Sequence, residues 1–539
     1  MRRYLTTTSV AEATAHRAAG WWEDTTLLDI ARRRAARDPA RLALVDEHLS
    51  FTNEELVGAV TRVADVLGTQ GVLSGDAVIV QLRNRCLYPI VNIAVSALGA
   101  VIVPLKTSLR GGEVASVAAR VGAAATITDA HAELEAQLAA HDIRIVTDRV
   151  LETAARATAR SAWQPERDAG HADAVLDLMF TSGTTGVPKG ILNTTNTKLS
   201  AVRAMIVELG LGPDDPWLVV PPMAHNAGWL YSFLPAFVSG APAVFQGRFE
   251  PAATLDLLAS HDVRCVFLTP THAADVISAV RSGAPAPTSL AYVIIGGAAT
   301  SPELKASLRS ELGAEIISMY GCTENQGVAF VRPETPPELA DPTVGEPCPG
   351  NEVAIFGPDR VSMAPRGEVG EIGTRGAGTF VGYFDDQAAT DAAFNRDGWF
   401  LAGDLGRIDE QGALRIVGRT KELIIRGGLN IVPDDVEAAL AGHPLIEQVA
   451  AVGIPDERLG ERVCAVVISK DPGVDLAAVV GYLQEREVGT HLWPEAVVSV
   501  DEFPLTDIGK VQRAALREVA LEAIRTGAVS VRSPSGGSG

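Results

Sequence analysis

Much that would place this chain in a familiar class is missing from it. Its 539 residues include only five cysteines, Cys86, Cys265, Cys322, Cys348 and Cys464, widely spaced and without a C-x-x-C pair. That spacing argues against a disulfide framework or a zinc site and fits a reduced, cytoplasmic setting. Positive charge is also short. Lys and Arg number 46 against 66 Asp and Glu, a net charge of −20, whereas a nucleic-acid surface needs a basic stripe to displace condensed counterions. No apolar run has the length of a membrane span. The longest, residues 89–105, contains Asn92 and Ser96 and breaks near Gly99, which predicts a helix running into a strand. Arg2 and Arg3 near the N-terminus are not followed by an apolar stretch, so no secretory signal is read there. Residues 533–539 have linker composition, and 526–539 is set aside as a flexible tail.

The composition that remains is that of a folded enzyme-sized protein. Hydrophobic residues make up 47% and charged residues 21%, the ordinary globular range. Single cores rarely exceed roughly 250 to 300 residues, so two or more units are expected. Periodicity predicts helices over 27–37 and 53–68, the second capped by Thr52, and a strand over 77–82. The alternation continues through residues 116–121, 124–128, 256–260, 264–268 and 274–280, the pattern of α/β organisation. Past Gly418 the elements shorten: a helix over 434–441, strands over 448–452 and 462–469, and helices over 476–487 and 511–524. That reads as a small α+β unit.

The densest chemistry lies in Thr181-Ser182-Gly183-Thr184-Thr185-Gly186-Val187-Pro188-Lys189-Gly190, directly after the apolar run 175–180. Hydroxyls, glycines that admit an anion to the backbone N–H groups, and one Lys together suit a polyphosphate. It is not a Walker loop, because Pro188 precedes the Lys and no Ser or Thr follows it.

This decapeptide resembles the phosphate loop of the acyl-adenylate-forming superfamily, which comprises acyl- and aryl-CoA synthetases, peptide-synthetase adenylation domains and beetle luciferases. The superfamily's other motifs follow in order: Gly296-Gly297-Ala298-Ala299, Tyr320-Gly321-Cys322-Thr323-Glu324, Gly367-Glu368-Val369-Gly370-Glu371, Trp399 to Asp404, Gly418 to Glu422, and Pro504 to Lys510. One departure is Thr194-Thr195, where the superfamily often has Thr-His. The resemblance implies a large N-terminal domain of α/β subdomains with packed sheets, residues 1–418, a hinge at 419–421, and a small mobile α+β lid domain over 422–525.

It also implies roles. Lys510 would be the catalytic cation on the carboxylate and α-phosphate oxygens, and Lys421 the hinge residue. Glu324, with Thr185, would hold Mg²⁺, and Thr323 would bond the α-phosphate. Thr181, Ser182, Gly183, Thr184, Thr185, Gly186 and Lys189 would wrap the outgoing phosphates. Adenine would stack on Tyr320 beside Gly321, in a slot made by Gly297, Ala298 and Ala299. Asp404 would take the ribose hydroxyls with Arg419 beside it. Gly427 and Gly428, next to Arg426, would line the thiol's path. His225, Asn226, Gly296 and Cys322 would face the acid, the His-Asn pair being similar to that of stand-alone aryl-acid adenylating enzymes. Lys189, Arg419, Lys421, Arg426 and Lys510 would supply the local positive field that an acidic chain needs for ATP and coenzyme A.

The expected reaction is activation of a small carboxylic acid, aryl, alicyclic or medium-size, to an acyl-AMP with loss of pyrophosphate. The acyl group then passes to coenzyme A or, as the alternative, to a carrier-protein phosphopantetheine. No nucleic acid and no membrane span are expected, and both monomer and homodimer remain open.

Overall fold

The computed structural model describes residues 8–531 apart from 130–131, 141–142, 159–160, 162, 165–170, 182–187, 470–473, 506–510 and 527–529. The expected positions Ser182, Gly183, Thr184, Thr185, Gly186 and Lys510 therefore lie outside the described residues. Contacts divide the chain into two units, residues 1–353 with 374–400, and residues 354–373 with 401–539. The segment 419–421 lies within the second, at the end of the strand Leu414–Arg419.

The first unit holds two large sheets. One has nine strands in the order Glu346–Pro347, Gln326–Phe330, Glu315–Cys322, Tyr292–Ile295, Cys265–Leu268, Trp217–Val219, Ala243–Phe245, Leu42–Val45 and Ser50–Thr52. The other has seven, in the order Gly382–Tyr383, Lys189–Thr194, Val175–Thr181, Val101–Pro104, Ala77–Gln81, Ala123–Thr128 and Arg144–Thr147. Successive side chains of a strand point to opposite faces, and here both faces are apolar. In the nine-stranded sheet Trp217, Val219, Phe267 and Ile294 enter one core, while Leu218, Val266, Leu268 and Val293 enter another. The first of these cores also takes Val78, Val80 and Ile127 from the seven-stranded sheet, together with helix residues Leu28, Val60, Val91 and Val202. A helical layer is thus clamped between the two sheets, and further helices cover their outer faces.

Local signals behave as expected. Thr52 caps the helix Asn53–Thr69 in a reciprocal box with Glu55, satisfying two orphan donors at once. The apolar run 89–105 is a helix ending at Ala97 and a strand beginning at Val101.

The second unit contains a five-strand path with a sixth strand, Ile446–Asp456, paired to Gly460–Ser469. The strand expected over 448–452 is longer because that pairing runs from Ile446 to Asp456. The last helix starts at Arg513 rather than at Val511, since Val511 forms a bridge with Leu505 instead. No described helix is long and apolar enough to cross a membrane.

One buried cation braces the first unit. Arg34, 6% exposed, donates to Asn53 Oδ1 at 2.8 Å and to the carbonyls of Ala236, Phe237 and Ala241 at 3.2, 2.9 and 3.0 Å. These carbonyls end the helix Leu234–Ser239, where the helix dipole favours a cation. Burial pulls the guanidinium down to about 10, so it stays charged at neutral pH. Arg34→Met should destabilise the protein by about 2 to 4 kcal/mol, because three buried carbonyls lose their donor. Scanning calorimetry measures it, and an unchanged Tm would show that the carbonyls find other partners.

Candidate functional site

In the nine-stranded sheet, the strands Trp217–Val219, Cys265–Leu268, Tyr292–Ile295 and Glu315–Cys322 run parallel. Ligands of open α/β sheets bind beyond the carboxyl ends of such strands. Residues 221–226, 296–299 and 321–324 extend past three of these ends, so topology alone brings His225, Asn226, Gly296, Gly297, Ala298, Ala299 and the Tyr320 to Glu324 segment to one edge. Gly296 is buried against Met319, and Gly297, Ala298 and Ala299 form an exposed turn.

Thr323, Glu324 and Asn325 are the three-residue tip of a hairpin between Glu315–Cys322 and Gln326–Phe330. The turn is very tight. A Cβ on Gly321 would lie 1.7 Å from the carbonyl oxygen of Gln326, so only glycine fits there. Gln326 itself sits at φ 57, a left-handed conformation that a non-glycine residue holds only when its surroundings fix it. They do. Asn325 Oδ1 accepts from the Cys322 amide at 2.7 Å, Asn325 Nδ2 donates to Thr374 Oγ1 at 3.2 Å, and the Phe380 amide donates to the Glu324 carbonyl at 2.7 Å.

The tip is joined to the phosphate strand through a residue that the motifs did not reveal. Tyr383 donates its hydroxyl to Glu324 Oε1 at 3.0 Å, and the Lys189 ammonium stands 4.5 Å from the centre of the same ring. Lys189 opens the strand Lys189–Thr194 opposite Thr181, and Tyr383 lies on the next strand, paired with Ile191. Burial, reinforced by the Glu324 charge, pushes the Tyr383 phenol well up, so it stays a donor. A carboxylate, a phenol and an ammonium thus stand in line. Among the described residues no group of three or more His, Cys, Asp or Glu could cage a metal. A single half-buried carboxylate suits Mg²⁺, which keeps several waters and takes phosphate oxygens as its other ligands.

On the acid side, His225 caps a short helix, its Nδ1 accepting from the Ala227 amide at 3.1 Å. That assigns the ring proton to Nε2. A π-helical turn, Trp229–Phe233, comes next, a form that often marks functional segments. Trp229 is 2% exposed and stacks on Phe233 in the core.

Within the second unit, Asp404 and Arg419 pair at 2.7 Å across adjacent strands. Gly427 and Gly428 form the turn between Ile424–Arg426 and Leu429–Ile431. The expectation that Arg426 adds free positive field is corrected: it is paired with Glu495, a buried carboxylate that also accepts from the Val463 amide. Its charge is neutralised within its own unit. The Arg419 charge is likewise matched by Asp404.

A strand-edge site with a phosphate lysine, a metal-compatible carboxylate and a ribose-compatible aspartate in the same chain defines an adenylate-forming enzyme. The chain belongs to the AMP-binding enzyme family, which matches residues 31–384, with the AMP-binding enzyme C-terminal domain matching 435–510. It is 32% identical to the medium-chain fatty-acid–CoA ligase of Escherichia coli strain K12 over 94% of this chain and 92% of that protein. It is 31% identical to the salicyl-AMP ligase/salicyl-S-ArCP synthetase of Mycobacterium tuberculosis, over 96% of this chain and 95% of that one. The o-succinylbenzoate CoA synthetase of Bacillus subtilis with its acyl-adenylate intermediate superimposes with TM-score 0.82 at 27% identity, over 92% of this chain and 99% of that one.

Tyr383→Phe removes the donor to Glu324 and keeps the ring under Lys189. We expect kcat/KM for ATP to fall about tenfold, the loss of one charge-assisted hydrogen bond, with Tm nearly unchanged. A change below twofold would show that the bond does not position Glu324.

Proposed function

We propose that the chain is an ATP-dependent, AMP-forming acid:CoA ligase acting on an aryl, alicyclic or medium-size carboxylic acid. A carboxylate is a poor acyl donor, because its charge repels nucleophiles and oxide does not leave. One of its oxygens attacks the α-phosphorus of ATP, the bond to the β-phosphate oxygen breaks, and pyrophosphate departs. The thiol sulfur of coenzyme A then attacks the acyl carbon, its proton is released, and AMP leaves. Both steps build negative charge on oxygen, which positioned donors stabilise by about 10²- to 10³-fold each.

The observation that carries this reading is the line from Glu324 through Tyr383 to Lys189. It suits a polyphosphate whose outer groups lie at Lys189 while the α-phosphate meets Thr323. When bound at Glu324, Mg²⁺ would neutralise phosphate charge. Tyr320 and the turn Gly297, Ala298 and Ala299 hold the base, and His225, Asn226, Gly296 and Cys322 meet the acid. Asp404 with Arg419 takes the ribose, Lys510 serves the adenylation step, and the segment at Lys421 acts as the hinge that lets Gly427 and Gly428 serve the thiol step. One pocket serving two reactions requires such a change of partner.

A second reading has one observation in its favour, the likeness to a salicyl-AMP ligase/salicyl-S-ArCP synthetase. There the acyl group would pass to a carrier-protein phosphopantetheine.

Pyrophosphate release across a panel of acids should pick out one group of substrates, and its complete absence would defeat the proposal. AMP release that depends on coenzyme A supports the ligase, whereas dependence on a carrier protein alone supports the second reading. Lys510→Ala should lower pyrophosphate formation about 100-fold or more while largely sparing thioester formation from preformed acyl-adenylate. Lys421→Pro should do the reverse. Equal loss of both half-reactions in either variant would overturn its assigned role.

A further inference from the structure

Behind the hairpin tip, five polar side chains close a ring in the dry interior of the first unit. Lys198 donates to Asn226 Oδ1 at 2.6 Å, Asn226 Nδ2 to Gln326 Oε1 at 3.3 Å, Gln326 Nε2 to Asn193 Oδ1 at 2.7 Å, and Asn193 Nδ2 to Asp177 Oδ1 at 3.2 Å. The circuit closes where Asp177 Oδ2 stands 3.2 Å from Lys198 Nζ, an ion pair without hydrogen-bond alignment. Lys198, Asn193 and Gln326 are 0% exposed, Asp177 1% and Asn226 3%. Burial, the larger influence on each, pushes the Asp177 carboxyl up and the Lys198 ammonium down.

The two charged members dictate the rest. An ammonium only donates and a carboxylate only accepts, so each of the three amides between them has one admissible orientation. Flipping Asn226 would set its NH₂ against the Lys198 ammonium. Its oxygen must therefore turn into the core, and of its two N–H bonds one goes to Gln326. The other remains for whatever lies on the acid side. Gln326 Nε2 also donates to the Thr323 carbonyl at 2.9 Å, which ties this amide to the nucleotide hairpin. A buried ion pair is seldom the most stable filling for a core, and orienting its neighbours is a better reason to keep one.

We propose that Lys198 is a specificity-determining positioning residue. By holding the Asn226 oxygen it leaves an N–H facing the acyl group, so the enzyme prefers acids with a hydrogen-bond acceptor, such as a hydroxyl, ether or keto oxygen, close to the carboxylate over hydrocarbon acids of the same shape. This inference rests on the assignment of Asn226 to the acid site. A site built around a buried polar group discriminates strongly against a ligand that leaves it unpaired.

The test compares acid pairs matched except for an ortho oxygen, such as 2-methoxybenzoate against 2-ethylbenzoate. It uses wild type, Lys198→Met, Asn226→Ala, the double variant of these two, and Asp177→Leu/Lys198→Met, which removes both charges together in case the single change does not fold. The readouts are kcat/KM for pyrophosphate release, KM for ATP, and calorimetric affinity for the matching acyl-sulfamoyl adenosines. We expect the preference for the oxygen-bearing acid to fall about tenfold or more in both Lys198 variants, with KM for ATP within about twofold. In the Asn226→Ala background, Lys198→Met should change the preference no further, since coupled residues are non-additive. An unchanged preference with a lowered Tm would reduce the ring to a structural role and overturn the proposal, as would an equal shift with and without Asn226. A wild type that releases no pyrophosphate would count against the ligase reading, while the sulfamoyl affinities would still decide the role of Lys198.

Discussion

The contact on which the site depends is the one between Gly321 and the carbonyl of Gln326, where the chain doubles back with no room for a side chain. That tightness produces the three-residue tip, the left-handed Gln326 and the placement of Thr323 and Glu324 at the carboxyl edge of the sheet. Asn325, the Phe380 amide and Tyr383 then hold the tip from three sides. Preorganisation of this kind matters for chemistry that proceeds by positioning and charge stabilisation, because the donors need not reorganise as charge develops.

Electrostatics complicates the arrangement. A chain of net charge −20 repels ATP and coenzyme A at long range, and the structure matches two of its apparent compensating cations with carboxylates: Arg419 with Asp404 and Arg426 with Glu495. Lys189 is treated differently. Its described partner is the Tyr383 ring, which steadies an ammonium without cancelling its charge. Attraction of the phosphates is thereby concentrated at one point.

The fold was legible where its causes are local. Thr52 and Glu55 stand at capping-box spacing, Gly99 interrupts an apolar run, and β-branched runs lie between helical ones, so helix starts and strands could be read directly. The motif residues Lys189, Glu324, Asp404 and Arg419 were legible as a constellation. Tyr383 was not, since 59 residues separate it from Glu324. Nor was the ring, whose Asn226 and Gln326 are 100 residues apart. One signal did exist. Asp177 interrupts Val175–Thr181, a strand otherwise apolar through Phe180, and a buried carboxylate requires a partner. Sequence says that a partner must come, but only topology says that it is Lys198. The pairing of Arg426 with Glu495 spans 69 residues and was hidden for the same reason.

The pairing of Thr181 with Lys189 has a consequence for how such a site could be rebuilt. Lys189 belongs to a strand and not to the loop before it. Its height above the sheet is set by backbone pairing on both sides, with Thr181 opposite and with Tyr383 laid along the adjoining strand beside Ile191. The connecting loop can then vary in side chains, and even in length, as the cost of loop closure grows only slowly with residue number. A graft that exchanges the loop for one suited to another phosphorylated ligand would inherit an anchored cation from the sheet.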